Sequence, residues 1–117
     1  MNKKIYTDYI RDILNSIDEI ETFVKEMSFE EFIQDKKTVN AVIRSLEVIG
    51  EAAKNIPELI RIKHVNIPWK KMAGMRDKLI HEYFGVNLEI IWQTIQEDIP
   101  QLEASIKKLK KSLEQQS

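Results

Sequence analysis

Apolar residues at Ile10, Ile13, Ile17, Ile20, Val24 and Met27 recur at alternating steps of three and four. That is the period of an amphipathic α-helix, and it commits the first quarter of the chain to one. With three glycines and three prolines in 117 residues, little turn material is left for an all-β fold. Similar stripes follow. Ser28 with Glu31 three residues on has the form of a capping box, opening a short turn that buries Phe29, Phe32 and Ile33. Asp35 is placed to cap a long helix reaching about Asn55, with Val39, Val42, Ile43, Leu46, Ile49 and Ala53 turned inward. Pro57 and Pro68 bracket a connector, and Trp69 begins a further helix that ends near Tyr83, Phe84 and Gly85. Asn87 caps a helix bearing Leu88, Ile91, Trp92 and Ile95. Pro100 breaks or kinks the chain before a last helix with Leu102, Ile106, Leu109 and Leu113, whose lysine- and glutamine-rich tail beyond Lys107 is expected to fray. The expectation is an all-α fold, an antiparallel bundle of four to five helices forming one domain over residues 1–117.

Charge narrows the function. The formal net charge is -1, so no global field draws the protein to nucleic acid or to anionic lipid, and any RNA contact must come from a local basic patch. Without cysteine there is no disulfide framework and no thiolate metal site. No apolar run suits a signal peptide or a membrane span, so the expected location is cytoplasmic.

The segment Arg76-Asp77-Lys78-Leu79-Ile80-His81-Glu82-Tyr83 does not fit a plain apolar or solvated face. At about 100° per residue Arg76 and Tyr83 lie nearly one above the other, and Asp77 and His81 share a second face. Such a broad polar arc suits the wall of a cleft or a subunit interface. Asp77 is spaced to accept from one ring nitrogen of His81 and set its tautomer. An imidazole can move the proton of a ribose 2′-hydroxyl, and a guanidinium can hold a phosphate at two points while charge builds. The same residue types also serve in local salt bridges or in a subunit contact.

On the preceding long helix Asn40, Arg44, Glu47, Glu51 and Lys54 form a polar stripe. It is either a solvated face laced with ion pairs, or a surface on which Glu51 holds Arg76 and Arg44 adds a second phosphate contact. Gly50 inside that helix costs about 1 kcal/mol against alanine, which a close helix crossing would explain. Trp69 and Trp92 read as core or interface anchors and Lys70 and Lys71 as solvent lysines. His64 has no second ligand at metal spacing, so neither a metal nor a cofactor is expected.

Arg76, His81 and Tyr83 together resemble the R-x-x-x-x-H-x-Y signature of HEPN-domain ribonucleases, specifically HepT-like toxins. The resemblance extends to the block from Arg44 to Lys54, to Ile67-Pro68-Trp69, to Ala73-Gly74-Met75 before the motif, to Tyr83-Phe84-Gly85, and to Ile99-Pro100-Gln101-Leu102. It implies a homodimer whose two motifs meet in a cleft that accepts RNA, with transfer RNA among the candidate substrates. Arg76 and His81 would carry a metal-independent endoribonuclease activity. Asp77 stands where the family commonly has Asn or Asp. The resemblance further implies a minimal nucleotidyltransferase antitoxin, in a type VII-like pair, that adds AMP to Tyr83 and so blocks the phosphate site. The alternative is a non-catalytic helical subunit that docks on a nucleotidyltransferase and helps hold its substrate.

Overall fold

The computed structural model describes residues 3–81 and 87–115, with the side chains at 3–5, 75 and 77–81 outside that description. Every element among these residues is helical. α1 (Lys3–Phe23), α3 (Lys36–Lys54) and α5 (Trp69–His81) are long, while α2 (Phe29–Gln34) and α4 (Glu58–Lys63) are short pieces leading into α3 and toward α5. α6 (Leu88–Gln93) passes through a π-helical turn, Thr94–Asp98, directly into α7 (Ile99–Gln115).

Local signals set most of the boundaries. Ser28 Oγ accepts from the Glu31 backbone N–H at 3.1 Å, and the Glu31 carboxylate accepts from the Ser28 N–H at 3.0 Å, closing the capping box of α2. Asp35 caps α3 by accepting from the Thr38 N–H at 3.1 Å, and Asn87 caps α6 by accepting from the Glu89 and Ile90 N–H groups. The hydrogen bonds to Ser28 and Thr38 hold the Glu31 and Asp35 carboxyls below their usual values, because each stabilises the anion.

α3 is the central helix, packed on both α1 and α5. Its expected apolar stripe is buried, from Val39 to Ala53, and so are the small residues Ser45, Gly50 and Ala52. Two packed neighbours require that second buried surface. On the α1 side Ser45 Oγ donates to Glu19 Oε2 at 3.3 Å. Ile10, Ile13, Ile17 and Ile20 are 1% exposed or less, and they join Leu46, Ile49, Ile56, Met72, Ile99 and Ile106 in one core. Each such side chain contributes roughly 1.5–3 kcal/mol by leaving water. Trp92 closes the α2 end, its ring 5.1 Å from Phe32 and 6.1 Å from Phe29.

Four expectations change. The connector between Pro57 and Pro68 contains α4, whose single buried residue, Ile60, left little periodicity to read. Ile33 is 38% exposed, because a helix of six residues turns one stripe inward and Phe32 takes it. The tail beyond Lys107 is helical as far as Gln115, with Leu109 and Leu113 at 2% and 3% exposure. Pro100 does not break the chain. It has no N–H and its ring conflicts with the carbonyl four residues back, and the π-helical turn just before it supplies the extra slack. There the Ile99 N–H reaches Thr94 O, one residue farther than in an α-helix.

Candidate active site

α5 is anchored at its start by Trp69, 6% exposed, whose Nε1 donates to the His64 carbonyl at 3.0 Å. One turn on, Met72 is 2% exposed, and Arg76 follows it on the same side of the helix. This side crosses α3 at Gly50. A Cβ at position 50 would overlap the Arg76 Cβ and would lie 2.9 Å from the Met72 carbonyl oxygen and 3.0 Å from the Arg76 nitrogen. The glycine anticipated from its helix cost is therefore the point of contact between the two helices. It brings the first atoms of Arg76 against α3, next to the following residue of that helix, Glu51.

Arg76 Nε and Glu51 Oε2 are 2.9 Å apart. The side chains are 31% and 56% exposed, so the pair orients the guanidinium more than it stabilises the fold. Of the two readings of the α3 stripe, the one in which Glu51 holds Arg76 describes the geometry at that end. The solvated reading describes the other end. Arg44 is 75% exposed and pairs with Glu47 on its own helix at 3.6 Å, about 10 Å along α3 from Glu51.

Asp77 and His81 lie on the backbone of α5, and their side chains fall outside the described residues, as does Tyr83 together with the helix stop expected at Gly85. The helix still sets directions. His81 is five residues beyond Arg76, about 7.5 Å along the axis and roughly 140° around it, while Asp77 and His81 are about 40° apart. Positions 76 and 81 of one chain therefore lie on different faces of α5.

Sequence reasoning passed over the pair Lys71 Nζ–Asp98 Oδ2, at 3.1 Å, which ties α5 to the π-helical turn. It depends on that turn and so has no local signature. His64 ends α4, and no group of three or more His, Cys, Asp or Glu among the described residues could hold a metal ion. No helix among them is long and apolar enough to cross a membrane.

Comparison with known proteins places this geometry. The family model described as "Ribonuclease HepT-like" matches residues 13–109, a stretch that includes Glu51, Arg76, His81 and Tyr83. The chain belongs to the HepT-like ribonuclease family. It is 53% identical over 109 residues to "Probable ribonuclease HepT" of Thermococcus cleftensis, covering 93% of this chain and 99% of that one. It is 52% identical over 101 residues to "Putative RNase TTE0752" of Caldanaerobacter subterraneus, covering 86% and 90%. With "Putative RNase MJ0125" of Methanocaldococcus jannaschii it shares 49% over 115 residues, 98% and 99% of the two chains. No solved structure matches the chain. For a HepT-like chain, the Arg76–Glu51 pair lies where α3 and α5 cross, and the motif histidine lies farther along the same α5.

Proposed function

We propose that this HepT-like chain is a metal-independent endoribonuclease that works as a homodimer, and that it is the toxin of a type VII-like pair. The observation that carries the reading is Arg76, its guanidinium held by Glu51 2.9 Å away, on the same helix as His81 in a chain of this family. Glu51 sets the plane of the guanidinium, and Arg76 anchors the scissile phosphate as negative charge accumulates on it. His81 accepts the proton of the ribose 2′-hydroxyl, with Asp77 orienting the ring. The 2′-oxygen bonds to the adjacent phosphorus, and the bond to the 5′-oxygen breaks. A protonated imidazole supplies the proton that the leaving oxygen takes up. The products are a 2′,3′-cyclic phosphate and a 5′-hydroxyl. Because positions 76 and 81 lie on different faces of α5, one catalytic set is completed by residues of two copies meeting across a cleft. RNA, including transfer RNA, is the substrate.

Tyr83, two residues beyond His81, is the control point. An antitoxin nucleotidyltransferase that adds AMP there puts anionic phosphate beside Arg76, which occupies the anchor and repels RNA. The test uses RNA digested by the purified protein in chelator. Cyclic-phosphate ends are expected, with no cleavage of a strand that carries a single 2′-deoxynucleotide at the cut position. Cleavage of that strand, or a strict need for divalent metal, defeats the chemistry. Co-expression with the nucleotidyltransferase should add AMP mass to the peptide containing Tyr83. A stable complex with unmodified Tyr83 and no RNA cleavage would point instead to a docking subunit.

A further inference from the structure

A groove with polar walls and an apolar floor runs between α7 and the segment joining α4 to α5. It consists of two adjoining cavities of about 310 and 260 Å³ that share Asn66 and Ser105. On α7 its wall is Gln101, Ser105, Lys108 and Ser112, spaced four, three and four residues apart, so they form one stripe about 17 Å long. Opposite them stand His64, Asn66 and, at the α5 end, Lys71. The apolar lining residues Ile67, Met72, Ile99, Leu102 and Leu109 are 5% exposed or less and form the floor, Pro68 is exposed at the α5 end, and amide, hydroxyl, imidazole and ammonium groups stand along the walls.

The charge pattern is one-sided. The acid lining the two cavities is Asp98, and it is paired with Lys71 at 3.1 Å. The acids of α7, Glu103 and Glu114, are absent from the lining. Of the lysines of α7, Lys108 lines the groove, while Lys107 pairs with Glu103 at 3.8 Å and Lys110 lines another cavity. A groove walled by donors, whose acid among the described residues is engaged by Lys71, suits a ligand that offers a row of anionic acceptors. A single RNA strand is such a ligand, since most contacts to a nucleic-acid backbone are donors to phosphate oxygens. Lys71 precedes Arg76 by five residues, about 140° around α5, so the basic wall of the groove lies on a different flank from the Arg76–Glu51 pair, while its floor residue Met72 is one turn before Arg76.

We infer that this groove is a phosphate-tracking exosite, binding a stretch of single-stranded RNA away from the cleavage point. The inference rests on the ribonuclease reading above for its substrate class. It predicts that longer strands bind and are captured better than short ones, and that Lys108 is the main charged contact.

The test is fluorescence anisotropy on the full chain with a labelled, fully 2′-O-methylated RNA strand, which cannot be cut through its own 2′-hydroxyl. Lys108→Ala should weaken binding by about tenfold and reduce the slope of log K against log salt by about one. The matched variant is Lys110→Ala, which removes the same charge from the same helix. Lys110 lines a separate cavity with Ile10 and Arg11 and should leave binding unchanged. In cleavage assays Lys108→Ala should raise KM for a long RNA at constant kcat and leave an oligonucleotide of a few nucleotides unaffected. Equal losses in both variants would mean diffuse attraction, and no loss in Lys108→Ala, or no RNA binding by the wild type, would equally overturn the exosite. Should the wild type cleave nothing, the ribonuclease reading fails while the anisotropy measurement still judges the groove.

Discussion

Replacing Gly50 by alanine sets two opposing effects against each other at the point where the candidate site is built. In the interior of α3 the substitution gains helix propensity, about 1 kcal/mol. Against this, the new methyl overlaps the Arg76 Cβ and approaches the Met72 carbonyl oxygen to 2.9 Å. These obstacles are backbone or the first side-chain atom of a neighbour, so no rotamer change relieves them. α3 and α5 must separate, and overpacking of this kind costs about 1–3 kcal/mol or more, here toward the upper end because backbone is involved. The net expectation is a loss of about 1–2 kcal/mol, a drop in Tm of roughly 4–10 °C for a chain of this size. Gly74, on α5, makes the control, since a Cβ there meets nothing within 4 Å. Gly74→Ala should therefore gain up to about 1 kcal/mol of helix propensity. Thermal melts at equal protein concentration separate the two. RNA cleavage should also fall in Gly50→Ala by more than its stability explains, because a shift of about 1 Å in Arg76 can cost on the order of 100-fold. A Gly50→Ala protein as stable as the wild type would refute the close-crossing argument and the positioning of Arg76 that follows from it.

Three other variants test the frame. The Glu21 carboxyl on α1 is raised above its usual value, first by a hydrogen bond with Glu103 of α7, then by burial and by repulsion from Glu103 and Asp18. A raised carboxyl pKa contributes stability at low pH that is lost as pH rises through it, so Glu21→Gln should be more stable than wild type by a few tenths of a kcal/mol near neutrality, the gap closing in acid as followed by pH-dependent melts. Glu26 has φ 62°, in the left-handed region, and Glu26→Gly should raise Tm by relieving up to about 1 kcal/mol of backbone strain; a lower Tm would contradict this. Ser28→Ala removes the acceptor of the α2 capping box and should cost about 1 kcal/mol in urea denaturation.

The parts of the fold legible in sequence are those with local causes. The caps at Ser28, Asp35 and Asn87 act within three residues, and the isoleucine stripe of α1 repeats at a period that only a helix satisfies. Gly50 was legible for a related reason, since a glycine inside a helix is costly and calls for a compensating contact. What escaped depends on tertiary context. The Lys71–Asp98 pair is a consequence of how distant segments meet, while the π-helical turn before Pro100 and the left-handed conformation of Glu26 are local departures that neither residue type announces. At the site, periodicity put Glu51 and Arg44 on one stripe of α3, and only the crossing distinguishes them: Glu51 reaches Arg76, while Arg44 stays with Glu47.

The central claim is that Arg76 and His81 perform RNA cleavage rather than hold the fold together. It is tested most directly by the rate of RNA cleavage in chelator for wild type, Arg76→Ala and His81→Ala, with a thermal melt of each. The account predicts a loss of about 100-fold or more for either substitution. Arg76→Ala should lose only about 0–1 kcal/mol of stability, the worth of an ion pair this exposed. Cleavage that persists in both variants, or an Arg76→Ala protein that is inactive because it no longer folds, would contradict it.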